Sequence, residues 1–277
     1  MERPGYLDFV ADFSTPSIVR AYDEVSLWSA MFGLLLLEQV PLRAETLLDV
    51  GCGTGFPLIE LAERLGPSVE VHGIDPWTEG LTRAREKIVD RGTPNITLHE
   101  GSAAAMPFDY GSFDLIVSNL GINNFSDRQA VVAECRRVAK TGATLALTTN
   151  LQGHMKEFYD IFLSTLEEAG DQGATHRLAD HIRERATVAD VSQLLEGAGF
   201  VVHRVEQRSA VMRFGDGTAL LNHHFIKLGF LEAWKRVAGE KQVPIFTELQ
   251  RRLDDRARRE GELRLTVPMA YLEARAE

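Results

Sequence analysis

The stretch Thr46-Leu-Leu-Asp-Val-Gly-Cys-Gly-Thr-Gly-Phe56 combines a short apolar segment, an acid and three glycines on alternate positions. The apolar residues predict a buried strand, and residues 57–65 have the spacing of a helix that begins at Pro57. Glycine allows positive φ angles and a close approach of the backbone to a ligand. The stretch therefore predicts a strand, a glycine turn and a helix, with the N–H groups of the turn directed at ligand oxygens.

The glycine spacing separates two kinds of nucleotide site. A dinucleotide-binding turn reads G-x-G-x-x-G/A, with a small last residue for close helix packing. Here Phe56 takes that position, and the pattern is G-x-G-x-G after Asp49. This segment closely resembles class I S-adenosylmethionine (SAM)-dependent methyltransferases, which implies that Asp49 and the turn hold the methionine end of SAM. The turn residues concerned are Gly51, Cys52, Gly53 and Gly55.

A second predicted strand, residues 69–75, ends in an acid. A carboxylate there can accept hydrogen bonds from both ribose hydroxyls, and the resemblance implies this role for Asp75. The alternative is a simple turn acid. Pro76 and Trp77 follow, and Trp77 either contacts the adenine or ribose or belongs to ordinary packing. On the next helix, residues 79–91, the charged face is predicted to be solvated.

A third predicted strand, residues 96–99, leads into a loop that the resemblance places beside the adenine ring. The family often has an acid here that binds the adenine amino group, whereas this chain has Ser102. We expect the Ser102 hydroxyl or the Ala103 N–H to contact adenine with weaker selectivity. Met106 is expected either against the ring or in the core.

The fourth predicted strand, residues 112–119, ends where open α/β sheets place their ligands. The Asn119 backbone is therefore expected to meet the SAM amino group. The following loop supplies candidate contacts to a methyl acceptor at Asn123, Asn124 and Phe125. The alternative is that these three residues only cap the loop.

The fold that the resemblance implies is a single Rossmann-like α/β domain over residues 1–277. Its seven-stranded sheet would be mostly parallel, with helices on both faces and an antiparallel last strand. A Glu-x-x-Arg-Val segment typical of the ubiquinone- and menaquinone-biosynthesis-like methyltransferases supports this group. The matching residues are Glu134, Arg137 and Val138.

The resemblance implies a helix before the first strand, and two later segments depart from the family pattern. Residues 14–40 predict an apolar lid helix whose Tyr22 would touch the SAM carboxylate, unless the segment packs on the sheet or forms a dimer contact. Residues 151–186 and 215–261 predict helical cap insertions that would set the choice of substrate. Within them, 170–185 looks polar and irregular, and 216–239 predicts one continuous helix.

Composition limits the classes of partner. The 277 residues are 44% hydrophobic and 25% charged, which suits a large α/β domain, and the net charge of −10 disfavours general nucleic-acid binding. The cysteines, Cys52 and Cys135, form no C-x-x-C pair, so we predict neither a metal site nor a disulfide. No signal-peptide pattern or membrane-length apolar run is present, which favours a cytoplasmic protein without a membrane partner.

The predicted reaction is in-line transfer of the sulfonium methyl to an oxygen, nitrogen or carbon of a small molecule, leaving S-adenosylhomocysteine. Alignment alone can supply roughly 7–11 kcal/mol of such a barrier. A base would help a hydroxyl or ammonium acceptor; His154 and His224 are candidates, although each also fits ordinary packing. Tyr159 is a weaker candidate contact to substrate.

Two other functions stay open. The first is a non-catalytic SAM-binding or interaction protein, because the adenine-site acid and an obvious base are missing. The second is a nucleotide-linked oxidoreductase, which Phe56 and the glycine spacing disfavour.

Overall fold

The computed structural model describes residues 3–24 and 27–277, and the chain forms two compact units. The first, called the sheet unit, contains the described parts of 13–150 together with 186–208 and 269–277. The second, called the helical unit, contains 3–12, 151–185 and 209–268. Each is treated by itself below.

Seven strands form one sheet in the order β3-β2-β1-β4-β5-β7-β6. They are β1 (Thr46–Val50), β2 (Glu70–Asp75), β3 (Ile96–Glu100), β4 (Phe113–Asn119), β5 (Ala139–Asn150), β6 (Phe200–Phe214) and β7 (Leu263–Ala276). Neighbours from β3 to β5 run parallel, and β7 runs antiparallel to β5. The predicted mostly parallel sheet with an antiparallel last strand is confirmed.

The helices alternate with the early strands and then gather in the second half of the chain. They are α1 (Pro16–Glu24), α2 (Leu27–Gln39), α3 (Leu58–Leu65), α4 (Thr78–Arg91), α5 (Arg128–Val138), α6 (Lys156–Glu168), α7 (Gln172–Arg183), α8 (Val188–Gly197), α9 (Gly217–Asn222), α10 (His224–Ile226), α11 (Glu232–Ala238) and α12 (Gln242–Glu260). A π-helical segment, Lys227–Leu231, joins α10 to α11. Across the described residues, none of these helices has the length and apolarity that crossing a bilayer requires.

The central strand β1 is apolar because neighbours cover it on both sides and helices cover its faces. Leu47, Leu48 and Val50 are fully buried. The start of the strand is fixed by Asp114 on β4, whose carboxylate accepts hydrogen bonds from the N–H groups of Glu45 and Thr46. This framework positions the turn that follows Val50.

Some helices differ from the sequence-based expectation. The segment 14–40 contains two helices, α1 and α2, and residues 25–26 between them lie outside the described residues. The segment 170–185 was expected to be irregular but contains α7, because Asp171 caps it by accepting from the Ala174 N–H at 2.9 Å. The predicted continuous helix 216–239 is also wrong, since His223 has an extended backbone between α9 and α10.

Candidate cofactor and acceptor site

The turn after β1 uses glycine for two different reasons. Gly51, Gly53 and Gly55 have φ angles of 82°, 50° and 92°, in the left-handed region that favours glycine. A Cβ at Gly55 would lie 2.9 Å from Ile59 Cδ1 and 3.2 Å from the Ala84 Cβ, so the absence of a side chain lets these residues pack closely. A Cβ at Gly53 would have no heavy atom of the described residues within 4 Å. Gly53 therefore faces open space and can border a ligand.

The N–H groups of this turn point into the protein. Those of Gly51 and Cys52 donate to the Ile74 carbonyl at 2.9 and 3.3 Å, and that of Gly53 donates to Asp75 Oδ2 at 2.9 Å. The expectation that these three groups receive ligand oxygens is wrong, because acceptors on β2 already hold them. A pyrophosphate depends on such donors, so this arrangement disfavours a dinucleotide.

Cys52 contributes packing rather than chemistry. Its side chain is buried, and its Sγ lies 2.8 Å from where a Cβ of Gly73 would stand. Burial raises the pKa of the thiol, so the thiolate form is disfavoured. Only the backbone of Cys52 belongs to the rim of the turn, and its side chain fills space beside Gly73.

Asp49, at the end of β1, is a buried acid without a partner. Neither carboxylate oxygen has a hydrogen bond of normal geometry to any described residue. Burial raises its pKa to about 8, the negative charge of Asp75 adds to the shift, and the nearby Leu58 N–H opposes it weakly. A buried carboxylate without a partner is costly, so this site suits a positively charged group such as an ammonium or a sulfonium.

Replacing Asp49 with asparagine is expected to stabilise the ligand-free protein at pH 8. The pKa of Asp49 in the folded state, about 8, lies above its value in the unfolded chain. At pH values between the two, the folded state binds more protons than the unfolded state. The free energy of unfolding therefore falls as the pH rises through this range. The amide carries no charge to desolvate, so the gain over the native chain should be on the order of 2–5 kcal/mol at pH 8 and small at pH 4. Thermal unfolding at these two pH values checks this, and equal pH slopes in both proteins would contradict it.

Asp75, at the end of β2, is held with both oxygens oriented. Oδ2 accepts from the Gly53 N–H, and Oδ1 accepts from the Trp77 N–H at 2.9 Å. Burial raises its pKa, although the two N–H groups act in the opposite direction. A carboxylate oxygen has more than one acceptor site, so each can still take a hydroxyl. The geometry therefore fits a vicinal diol such as a ribose.

An aromatic group flanks Asp75. The Trp77 Nε1–H donates to the Phe13 carbonyl at 2.9 Å, and the Tyr22 ring meets the Trp77 ring edge-on at 5.4 Å. The pKa of Tyr22 is raised by burial and by the charge of Asp75, which places Tyr22 on the side of the predicted ribose site. Pro76 is exposed. These contacts bring Tyr22, Asp75 and Trp77 together, while their roles toward a cofactor stay proposals.

Helix α1 is tied to α4 by an ion pair that the sequence did not reveal. Asp23 accepts from Arg83 Nε at 2.9 Å and from Lys87 Nζ at 2.5 Å. The Asp23 side chain is only 11% exposed. The prediction that the charged face of α4 is fully solvated is wrong at these two basic residues, because α1 lies against them.

The loop between β3 and β4 is fixed by two residues of α5. Glu134 Oε2 accepts from the Met106 N–H at 2.7 Å, and Arg137 donates to the carbonyls of Met106 and Phe108 at 2.9 and 2.6 Å. Met106 and Ala103 are buried, whereas Ser102 is exposed and its Oγ accepts from the Ala104 N–H. The Glu-x-x-Arg pair thus orders the loop predicted to border adenine.

An Arg137→Lys variant is expected to loosen this loop and weaken SAM binding by about three- to tenfold. Lysine cannot reproduce the planar donors that reach Glu134 and two carbonyls at once. Amide hydrogen exchange of residues 103–108, with a SAM titration, measures both effects. Arg128→Lys, on the same helix, is the matched control, and unchanged exchange in Arg137→Lys would refute the role.

The side chains at the end of β4 are engaged within the sheet unit. Asn119 donates from Nδ2 to the Ser29 carbonyl at 3.1 Å, and its Oδ1 accepts from Thr148 at 2.7 Å. Asn123 Oδ1 accepts from Thr149 at 2.6 Å. The Asn119 side chain is therefore engaged, and contact of its backbone with a ligand stays a prediction.

Phe125 lies beside the glycine turn. Its ring is 3.6 Å from where a Cβ of Gly51 would stand and 2.8 Å from that of Gly121. Gly121 is needed here, since its Cβ would also lie 2.4 Å from Ser118 Oγ. Asn124 is exposed. Among the loop candidates, Phe125 is therefore the one placed next to the predicted cofactor turn.

The two candidate bases belong to the helical unit. His154 is 3% exposed, and burial, with the charges of Arg185 and His181, lowers its pKa to about 3. A group with that pKa is a weak proton acceptor at neutral pH, which disfavours His154 as a base. His224 is half-buried, with its ring edge-on to Phe9 at 5.9 Å. No metal-binding group of three or more His, Cys, Asp or Glu occurs in the described part of the chain.

The sheet order with a reversed β7, the glycine turn after β1 and the acid at the end of β2 together define a class I SAM-dependent methyltransferase. The chain belongs to the methyltransferase domain family, whose model matches residues 42–199. This confirms the family and enzyme class predicted from the glycine turn.

Named relatives and solved structures agree with this assignment. The demethylmenaquinone methyltransferase of Anoxybacillus flavithermus is 32% identical over 163 residues, covering 56% of this chain and 69% of that protein. A SAM-dependent methyltransferase from Aquifex aeolicus is 26% identical, with a TM-score of 0.54 over 69% of this chain and 91% of that one. The YcgJ protein of Bacillus subtilis, at 17% identity, shares the fold, with a TM-score of 0.57 over 90% and 98% of the two chains.

Proposed function

We propose that this chain binds SAM at the carboxyl ends of β1 and β2 and transfers its methyl group to a small, partly apolar molecule. The observation that carries the proposal is the pair of acids at the ends of these adjacent strands. Asp49 offers an unpartnered buried carboxylate to the cationic methionine end, and Asp75 offers two oriented oxygens to the ribose. When bound, SAM supplies a methyl group that its sulfonium has already activated.

The other proposed contacts follow from the resemblance to the family. Gly53 gives the ligand room beside the turn, and Tyr22 and Trp77 enclose the ribose side. On the adenine side we place Ser102, Ala103 and Met106, and beside the amino group the backbone of Asn119. The candidate acceptor contacts of the sheet unit are Asn123, Asn124 and Phe125, and Tyr159 of the helical unit stays a weaker candidate predicted from the sequence.

The acceptor is proposed to be a molecule that needs little help from a base. The low pKa of His154 makes it a poor proton acceptor, which favours an acceptor that is already nucleophilic, such as an enolate-like ring carbon. Relatives named demethylmenaquinone methyltransferases support a ring-bearing apolar acceptor for this chain as well. Cytoplasmic location and a homodimer stay predictions from the sequence.

Incubation with methyl-labelled SAM tests the proposal. A reduced 1,4-naphthoquinone and a panel of small aromatic acids serve as acceptors, and mass spectrometry follows both products. We expect a labelled small molecule and an equal amount of S-adenosylhomocysteine. SAM binding without transfer to any acceptor would favour the non-catalytic alternative, and NADH binding without SAM binding would overturn the proposal.

A further inference from the structure

The helical unit contains a chain of hydrogen-bonded side chains outside the SAM site. The Trp234 Nε1–H donates to Tyr159 Oη at 3.2 Å, and Tyr159 Oη lies 3.0 Å from His181 Nε2. The Glu184 carboxylate, which can only accept, lies 3.5 Å from His181 Nδ1 and favours the tautomer with the proton on Nδ1. In that tautomer His181 Nε2 accepts from the Tyr159 hydroxyl. Tyr159 and Trp234 are buried.

Arg185 brings a positive charge to this chain without a matching buried acid. Its Nε is buried and has no hydrogen-bond partner among the residues that the structure describes. The Glu184 carboxylate lies 4.0 Å from Arg185 Nη1. The Glu184 side chain is 64% exposed, whereas the Arg185 side chain is 20% exposed. A buried guanidinium edge without an acceptor is costly.

Apart from the exposed Glu184 carboxylate, the side chains facing Arg185 are neutral. Burial, together with the positive charge of Arg185, lowers the pKa of His154 and His181, so both imidazoles are uncharged at neutral pH. The pKa of Tyr159 is raised mainly by burial, so the phenol is uncharged as well. Because solvent screens the exposed Glu184 carboxylate, the buried side of the cluster presents the positive charge of Arg185 with hydrogen-bonding groups around it.

Aromatic rings form the rest of the surroundings. The His154 ring lies 5.4 Å from the Phe230 ring, and the Phe230 ring stacks with that of Trp234 at 5.7 Å. Flat apolar ligands suit such surfaces. A carboxylate on an aromatic ring would combine this fit with the two-point geometry that a guanidinium prefers.

We propose that Arg185, with Tyr159 and His181, forms a binding site for the carboxylate of an aromatic acid. The site lies within the helical unit and does not depend on the proposed methyl transfer. Arg185 would hold the carboxylate through Nε and Nη, and the neighbouring rings would hold the aromatic body.

Ligand-observed fluorine NMR with the full-length chain tests the site. The probes are 4-fluorobenzoate and its uncharged counterpart 4-fluorobenzamide. We expect 4-fluorobenzoate to bind at least about tenfold more tightly than the amide, and Arg185→Gln to remove this preference. Arg183→Gln, an exposed position on α7, is the matched control and should bind like the native chain. Arg185→Lys should keep part of the affinity because it keeps the charge.

Equal binding of the acid and the amide, no binding of either, or an unchanged affinity in Arg185→Gln would overturn the site. Thermal unfolding of each variant shows whether it is folded, and the lysine variant provides the comparison if glutamine is not tolerated. SAM affinity is measured on the same samples. Loss of 4-fluorobenzoate binding with intact SAM binding supports a separate site, whereas a native chain that binds the acid but not SAM refutes only the proposed methyl transfer.

Discussion

An Asp75→Ala variant is expected to bind SAM at least about 100-fold more weakly than the native chain. Two hydrogen bonds from ribose hydroxyls to a carboxylate contribute about 1.5–3 kcal/mol each, and 1.4 kcal/mol is a factor of ten. The variant also loses the acceptor for the Gly53 N–H, which loosens the turn. Isothermal titration with SAM measures the loss.

Asp90→Ala is the matched control for this variant. Asp90 is exposed near the end of α4, so its removal changes the net charge equally but leaves the turn intact. The control should bind SAM within about twofold of the native chain. If Asp75→Ala stayed folded and lost less than about threefold in affinity, the ribose site would lie elsewhere.

A Gly53→Ala variant is expected to lose SAM binding by at least about tenfold while remaining folded. Gly53 has a φ of 50°, so alanine there costs about 1–2 kcal/mol of stability. Its Cβ would meet no atom of the described residues within 4 Å, and the methyl group would therefore extend into the space proposed for the cofactor. Close approach of the backbone would then be blocked.

Gly92→Ala separates this steric effect from backbone strain. Gly92 has a φ of 65°, and a Cβ there would likewise meet none of the described residues within 4 Å. However, Gly92 follows the C-terminal end of α4, whereas Asp75 and Trp77 precede its N-terminal end. Both variants should lose similar stability, and only Gly53→Ala should lose SAM affinity. Parallel losses of affinity in both would show that the effect is general loosening rather than blocking of a ligand.

The parts of the fold that the sequence predicted are those set by local patterns. The apolar segment before Asp49 predicted a buried strand, and the glycine spacing with Phe56 in place of a small residue disfavoured a dinucleotide turn. The mostly parallel sheet with an antiparallel last strand then followed from the family resemblance. Asp75 could be chosen because the end of a predicted strand fixes its position.

The parts that the sequence did not predict depend on partners distant in the chain. The N–H groups of the turn were expected to face a ligand, but the carbonyl of Ile74 accepts two of them. The pairing of Asp23 with Arg83 and Lys87 has no local signal, because charged residues on a helix usually face water. Arg185 was missed for a related reason: only the structure shows that its Nε is buried and without an acceptor.

The position of the cofactor is tested most directly by a crystal structure of the chain with S-adenosylhomocysteine. We predict both ribose hydroxyls within hydrogen-bond distance of the Asp75 carboxylate, the amino-acid end over residues 49–53 and the adenine beside residues 102–106. A nucleoside bound with its ribose away from Asp75, or with its amino-acid end away from Asp49, would contradict this account of the site.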